Sequence, residues 1–169
     1  MSRLVHIRRA LMMGGAAPTQ SHRYWRVKVV TTGDEPTGRV EVNELNFGDI
    51  SQVSFTTTVC TCTAADAVGI INTQGGTNCK KLTDNDSTDA AMGDLLFAAA
   101  IRPELTMDYT SAVTPYYVRQ AKKDVDSRQV ATCTVWYSDN GTDFTQLGGT
   151  ITLPTTVTNN SFAAWYQIQ

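Results

Sequence analysis

The sequence predicts an all-β protein, built as an antiparallel β-sandwich or jelly roll, on three observations. Threonine supplies 25 of the 169 residues and charged residues only 18%, below the roughly 25% of an average soluble domain. Short runs of Val, Thr, Ile and Tyr recur along the chain, and such side chains fit a pleated, half-buried sheet. Gly, Asn and Asp separate these runs, as is typical of sandwiches. We expect helix only as a turn or two within 89–100.

The strand candidates begin with an alternating run over 23–30. Trp25, Val27 and Val29 alternate there with more polar residues, so we expect these three side chains to face the core. After a turn, a second alternating run covers 40–47. The remaining candidates are 52–62, 104–109, 115–120, 130–138, 150–153 and 162–168.

Aromatic residues of the later strands are expected to complete the core. Trp136 and Trp165 lie in alternating runs, where a core position is the expected outcome for tryptophan. Tyr137 has the opposite parity to Trp136, so only one of these two rings faces inward. Val135 and Phe144 are also expected in or near the core, on either side of a hairpin turn whose left-handed residue is a glycine. Tyr116, Tyr117 and the tip of the segment 63–78 stay open as loop contacts for a sugar, but they define no binding constellation, and the ligand-binding residues stay unknown.

Residues 1–21 show neither a helical nor a strand period, which predicts an N-terminal arm before one body domain over 22–169. The first 28 residues carry six Lys and Arg and no acid, whereas the rest of the chain carries eight bases against 16 acids. A basic end suits nucleic acid, an anionic membrane or the acidic body of a neighbouring copy. Of these we expect the neighbouring copy, and neither nucleic acid nor a membrane, as the partner. A solvated tail is the alternative.

The apolar run over 10–13 is shorter than the ~7–15 residues that a signal peptide needs. We therefore expect no signal peptide and synthesis in the cytoplasm, where Cys60, Cys62, Cys79 and Cys133 would stay reduced. Their spacing matches no standard zinc site, so buried thiols are the expected state. A disulfide from Cys60 or Cys62 to Cys79 stays open as the alternative.

The sequence carries no constellation of residues that catalysis requires. The two histidines, His6 and His22, lie in or beside the arm, so a His-dependent triad inside the sandwich has no base. Neither a nucleophile elbow nor a phosphate-binding or dinucleotide-binding glycine motif occurs. We therefore expect a protein that is not an enzyme.

Several stretches resemble one known family. The stretch 135–148 reads as a strand, an Asp-Asn-Gly turn and a second strand, and 82–88 and 104–109 read as a carboxylate loop and a strand. Together they resemble discoidin-like domains, also called coagulation-factor type C or galactose-binding-like domains. The strand pair 23–30 and 40–47 is similar to one that opens related domains in bacteriophage tail proteins. The resemblance implies an eight-stranded antiparallel jelly roll, galactose-binding-like, with loops at one end forming a ligand face.

The carboxylate loop places oxygen-bearing side chains at alternate positions, which suits a hard cation such as Ca²⁺. In the resembled family this loop often binds a structural Ca²⁺ with help from a glutamate, and the matching residues are Asp84, Asp86 and Glu44. Asn85 stands where the family has glycine, and Asn also enters the left-handed region of backbone space. The alternative is an Asx-turn, in which Asp84 and Asp86 bond their own backbone.

The resemblance and the basic arm together favour a structural virion protein of a bacteriophage, in the tail, the baseplate or the capsid surface. Its partners would be other copies of itself or other virion proteins. Arg3, Arg8 and Arg9 would then meet carboxylates, while apolar arm residues fill a groove. These apolar residues are Leu4, Ile7, Leu11 and Met12. The alternative is a carbohydrate-binding module that recognises polysaccharide of the host surface.

Overall fold

A computed structural model describes residues 19–33, 42–57, 59–64, 70–71, 83, 85, 87, 96–97, 103–122 and 129–169. Within these ranges the chain forms β-strands and no helix, so none that could cross a membrane. The strands are β1 (His22–Thr32), β2 (Val42–Gly48), β3 (Cys60–Ala64), β4 (Ile70–Ile71), β5 (Leu96–Phe97), β6 (Pro103–Val113), β7 (Tyr117–Lys122), β8 (Val130–Ser138), β9 (Thr145–Thr152), β10 (Ser161–Phe162) and β11 (Tyr166–Gln167). Their pairings are all antiparallel, and the predicted all-β class is confirmed.

The strand β1 is the centre of a five-stranded sheet with the order β3-β6-β1-β8-β9. Trp25 lies opposite Met107 of β6 on one side and Tyr137 of β8 on the other. Because successive side chains of a strand point to opposite faces, Trp25, Val27 and Val29 share one face, and all three are buried. The inward face predicted for this strand is confirmed.

A second sheet is centred on β7, which pairs with β2 along one edge. Its other edge is shared by β10 and β11, which pair with opposite ends of β7. The single strand expected over 162–168 is therefore two short strands, and the residues between them are available to pack on the sheet face.

The short strands β4 and β5 form a separate two-stranded sheet, in which Ile70 pairs with Phe97 and Ile71 with Leu96. The helical turn expected within 89–100 is therefore wrong at Leu96 and Phe97. Local helix propensity is a weak preference, and pairing with a segment 26 residues earlier in the chain overrides it.

The two larger sheets face each other across one hydrophobic core, as in a β-sandwich. Buried residues of β1, β3, β6 and β8 from the first sheet and of β2 and β7 from the second belong to a single cluster. The rings of Trp25 and Phe47 bring the sheets into direct contact, with their centroids 5.6 Å apart. Val135 is buried in the same cluster, as predicted.

Two aromatic residues expected in the core lie on the outer face of the five-stranded sheet instead. Trp136 stacks under Lys28, whose Nζ lies 4.4 Å from the ring centroid. Phe144 packs under Arg26, whose Cζ lies 3.6 Å from its ring. Because Val135 faces inward, its neighbour Trp136 must face outward, so the core positions predicted for Trp136 and Phe144 are wrong.

Two buried glutamine side chains link the sheets near the start of β8. The amide of Gln120 on β7 donates from Nε2 to the carbonyl oxygens of Val130 (2.8 Å) and Pro154 (3.0 Å), and its Oε1 accepts from the Val130 N–H. The amide of Gln129 pairs in the same way with both backbone groups of Thr156. Each side chain thereby satisfies backbone groups that no strand partner reaches.

Cys60 and Cys133 are buried, free thiols, as predicted for them. Burial raises the pKa of each to about 12, because an apolar environment disfavours the thiolate. Both are therefore unreactive in the folded protein at neutral pH. Because Cys60 is a free thiol, a disulfide from Cys60 to Cys79 is wrong. The side chain of Cys62 and the whole of Cys79 lie outside the described residues, and so does a disulfide between them.

Replacing Trp25 by Ala should lower the free energy of unfolding by ~3–5 kcal/mol, because the cavity opens where the sheets meet. The matched control is Trp136→Ala, which removes the same ring from the outer face and should cost only about 1 kcal/mol through the lost Lys28 contact. Urea unfolding followed by circular dichroism measures both. Equal losses for the two variants would contradict the assignment of the faces.

Candidate functional site

Two polar residues of β2 are buried on the side of the sheet that faces away from the core. Leu45 and Phe47 point into the core, so Glu44 and Asn46 must point outward. Both are nevertheless 0% exposed. Another part of the chain must therefore cover this face.

The cover includes Asn85, which lies with Thr83 and Ser87 in the stretch that the sequence marks as the carboxylate loop. Thr83 exchanges two hydrogen bonds with Thr57, one from the Thr57 N–H (3.2 Å) and one from its own hydroxyl to the Thr57 carbonyl (2.6 Å). The hydroxyl of Ser87 donates to the carbonyl of Asn160 at 2.9 Å. Thr83 and Ser87, on either side of Asn85, are thus each hydrogen-bonded to another segment of the chain.

The carboxylate of Glu44 meets this loop at Asn85. Its Oε2 accepts from the side-chain amide of Asn46 at 2.9 Å and from the backbone N–H of Asn85 at 3.2 Å. Asn85 has a φ of 70°, the left-handed conformation expected where the family has glycine. That conformation turns its backbone N–H toward the buried carboxylate, which needs donors because burial of an unpaired charge is costly.

Arg119 of β7 completes the arrangement. Its Nη2 donates to Asn85 Oδ1 at 2.9 Å and to Ser54 Oγ at 3.1 Å. Desolvation lowers the pKa of Arg119, and the negative charge of Glu44 opposes this effect. An arginine stays protonated in proteins even so. We call Glu44, Asn46, Asn85 and Arg119 the Glu44 cluster.

The guanidinium of Arg119 packs against two aromatic rings. Its Cζ lies 3.6 Å from the ring of Phe162 and 4.2 Å from that of Trp165, both cation–π distances. Trp165 reaches across the sheet to Gly48, where a Cβ would come within 2.7 Å of its ring. Glycine at this position is therefore what allows the indole to lie over β7. Trp165 thus packs beside Arg119 on the outer face of the second sheet and is not part of the core cluster, so the core position predicted for Trp165 is wrong.

A hairpin turn projects from the end of β2 beside the cluster. The Asp49 N–H donates to the Val53 carbonyl at 2.9 Å, while Asp49 Oδ1 accepts from the N–H groups of Ser51 and Val53. Ser54 Oγ donates to Asn85 Oδ1 at 2.8 Å, which joins the turn to the Glu44 cluster. The side chains of Ile50 and Val53 are 66% and 61% exposed. We call residues 49–54 the apolar turn.

The structure places one of the three predicted metal ligands at this site. Glu44 contacts the loop through Asn85, whereas Asp84 and Asp86 lie outside the described residues. Across the ranges that the structure describes, no three His, Cys, Asp or Glu side chains converge on one point. The predicted arm contacts also lie outside the described residues, namely Arg3, Leu4, Ile7, Arg8, Arg9, Leu11 and Met12.

Sequence reasoning missed Arg119, although the sequence carries a signal for it. Arg119 is a charged residue in the middle of a strand that is otherwise apolar or uncharged over 115–121. Such a residue is rarely buried without a specific partner. Its partners Ser54 and Asn85 lie 65 and 34 residues away, so the sequence gives no indication of which they are.

Comparison with known proteins adds no relative. No protein-family model, no curated protein and no solved structure matches the chain.

Changing Asn85 separates the roles of its backbone and its side chain. Asn85→Ala should lower the free energy of unfolding by ~2–3 kcal/mol, because a hydrogen bond from a charged donor is lost and alanine is strained at positive φ. Asn85→Gly loses the same side-chain bonds without the strain, so it should cost about 1 kcal/mol less. Urea unfolding of both variants measures the difference. Glycine as damaging as alanine would show that the left-handed backbone is not needed.

Proposed function

We propose that this protein is a structural virion protein of a bacteriophage, in which the β-sandwich and the N-terminal arm assemble neighbouring subunits. The observation that carries the proposal is the separation of charge between the arm and the body. Residues 1–21 contain three arginines and no acid, while 22–169 contain 11 bases and 16 acids. The similarity of the first two strands to domains of bacteriophage tail proteins supports the virion as the location.

The bases of β1 already have partners within the body. Arg23 forms a two-fold hydrogen bond with Asp108, from Nε at 2.7 Å and from Nη2 at 2.8 Å. These bonds lower the pKa of the Asp108 carboxyl and raise that of Arg23. Glu104 accepts from Arg26 at 3.0 Å and from Lys28 at 2.8 Å. Half of the six bases in the first 28 residues are thus compensated locally, and the arm supplies the remaining three.

Apolar contacts must supply most of the binding energy of the arm. Ordering one flexible residue costs ~1–2 kcal/mol in backbone entropy. Exposed ion pairs contribute only ~0–1 kcal/mol each, whereas a fully buried apolar side chain contributes ~1.5–3 kcal/mol. Leu4, Ile7, Leu11 and Met12 are therefore the proposed anchors. The arginines chiefly set the orientation and the rate of association.

For the fold, the finer proposal is a galactose-binding-like jelly roll. Two left-handed residues support it, Asn85 in the carboxylate loop and Gly141 in the Asp-Asn-Gly turn, with φ values of 70° and 75°. The contact of Glu44 with the loop supports it as well, because the resemblance pairs the same two elements.

A structural Ca²⁺ at the carboxylate loop is part of the proposal. Asn46 Oδ1 is buried and has no hydrogen-bond partner among the described residues, so an oxygen acceptor is left for a cation. Glu44 and Asn46, with Asp84 and Asp86, would hold the ion, which would fasten the loop to β2. EDTA should lower the melting temperature and excess Ca²⁺ restore it, and Glu44→Gln should abolish the response. An unchanged melting temperature under both treatments would remove the metal.

The carbohydrate-binding alternative has one favourable observation. Trp136 and Phe144 lie half-buried on the outer face of the five-stranded sheet, beside the ion pairs of Arg26 and Lys28 with Glu104. Aromatic rings next to fixed polar groups suit a sugar ring. However, a cation already stacks on each ring, which leaves less of it for a ligand.

Deleting residues 2–20 should abolish assembly of the full protein into its oligomer or particle. Leu4→Asp or Leu11→Asp should impair assembly more than Arg8→Ala, because the apolar anchors carry more binding energy than the charges. High salt should slow assembly without abolishing it. Light scattering against time measures the rate and the extent.

Two results would count against this function. If the deleted protein enters particles as efficiently as the full chain, the arm is only a solvated tail. A monomer that binds immobilised glycans, with no change when the arm is deleted, would support the carbohydrate-binding alternative instead.

A further inference from the structure

The N-terminal arm leaves the body at the end of the sandwich that carries the apolar turn. The side chain of Gln169 accepts from the backbone N–H of Gln20 and donates to the carbonyl oxygen of Pro115. The next residue, Tyr116, donates its N–H to the carbonyl of Gly48 at 2.8 Å. Gly48 directly precedes the apolar turn. A short chain of hydrogen bonds thus connects Gln20, at the described end of the arm, to the strand end that precedes residues 49–54.

The apolar turn is rigid, and its composition is unusual for a solvent-exposed turn. Gln52 has a φ of 63°, a left-handed conformation that glycine adopts without strain. Hydrogen bonds to Asp49 and to Ser54 hold the backbone on both sides. Ile50 and Val53 are nevertheless presented to solvent, at 66% and 61% exposure. A fixed shape with exposed apolar side chains is typical of a contact surface.

The same end of the sandwich is acidic. Asp49 lies in the apolar turn, and Asp139 and Asp143 lie in the turn between β8 and β9. His22 connects this second turn to the arm's exit, because its ring hydrogen-bonds Asp139 at 2.9 Å and Gln20 at 3.1 Å. Carboxylates and an exposed apolar pair at one end of the sandwich match the composition of the arm, which combines arginines with leucine, isoleucine and methionine.

We propose that the apolar turn is the docking surface for the N-terminal arm of a second copy of this chain. Ile50 and Val53 meet the apolar residues of the arm, and the nearby carboxylates meet its arginines. This inference rests on the proposed function and deepens it, because it names the surface that the arm binds.

A second copy is a suitable source of the arm for a geometric reason. Eighteen residues precede Thr19, and at ~3.3–3.6 Å per extended residue they reach about 60 Å, further than the length of any strand of the body. Because the arm leaves from the end that bears its receptor, one two-fold axis at that end lets two copies exchange arms. Such an interface is self-complementary, as in most homodimers.

Sedimentation velocity of the full chain over a range of concentrations tests the proposal. Ile50→Ser with Val53→Ser and Leu4→Asp with Leu11→Asp should each weaken self-association at least tenfold. Combining all four changes should weaken it no further than either pair alone, because both pairs remove one contact. The matched control is Val157→Ser, which removes an 80% exposed valine outside the apolar turn and should change nothing. Circular dichroism and melting temperature verify that the variants are folded.

Mixing the two defective proteins identifies whose arm is bound. An arm-defective chain keeps its turn and a turn-defective chain keeps its arm, so exchange of arms should produce a mixed dimer with one intact contact. Failure of the mixture to associate, or an arm effect that does not depend on concentration, would overturn docking on a second copy.

The outcomes also distinguish this inference from the proposed function. If the arm variants lose assembly while the turn variants keep it, the arm binds elsewhere and only the docking surface is wrong. If the full chain is monomeric at every concentration, or the arm variants assemble normally, both are wrong.

Discussion

The alternation of β1 sets the placement of both sheets. Trp25 points inward at the centre of the five-stranded sheet and meets Phe47 of the second sheet, while its indole N–H is satisfied by the His22 carbonyl at 2.9 Å. Met107 and Tyr137 lie directly opposite Trp25 in the two neighbouring strands, so their side chains also point toward the core. A slip of one residue would bring the charged side chains of β1 into the core. The strand therefore fixes which residues of its neighbours face solvent.

A different constraint shapes the second sheet, because its outer face holds the carboxylate of Glu44. A fully buried carboxylate requires donors and a compensating charge. Asn46 and Asn85 supply hydrogen bonds, and Arg119 supplies positive charge nearby. The hydrogen bond from the Asn85 N–H to Glu44 places this residue of the carboxylate loop against β2. The same requirement accounts for the rings around Arg119, since a guanidinium held close to a buried acid gains from aromatic faces once water is excluded.

The sequence alone predicted the features that depend on neighbouring residues in the chain. The alternation of β1, the left-handed Gly141 of an Asn-Gly turn and the conformation of Asn85 depend on a few neighbouring residues each. It failed for Trp136 and Phe144, because alternation predicts that neighbours lie on opposite faces but not which face is the core. The register with β1 decides that choice. Contacts such as Arg119 with Ser54 join segments 65 residues apart, and no local pattern encodes them.

One hydrogen-bond network connects the buried carboxylate of Glu44 to the turn that carries the exposed side chains of Ile50 and Val53. Arg119 donates a hydrogen bond to Ser54, and the side-chain oxygen of Asn85 accepts from both residues. The network around Glu44 therefore also fixes one end of the apolar turn. Asp49 fixes the other end through two backbone N–H groups. A turn ordered in advance loses little further backbone entropy when a partner binds, so less of the contact energy of Ile50 and Val53 would be offset in the proposed interface. The buried Glu44 cluster on the outer face of the second sheet therefore helps to hold the proposed docking surface in its shape.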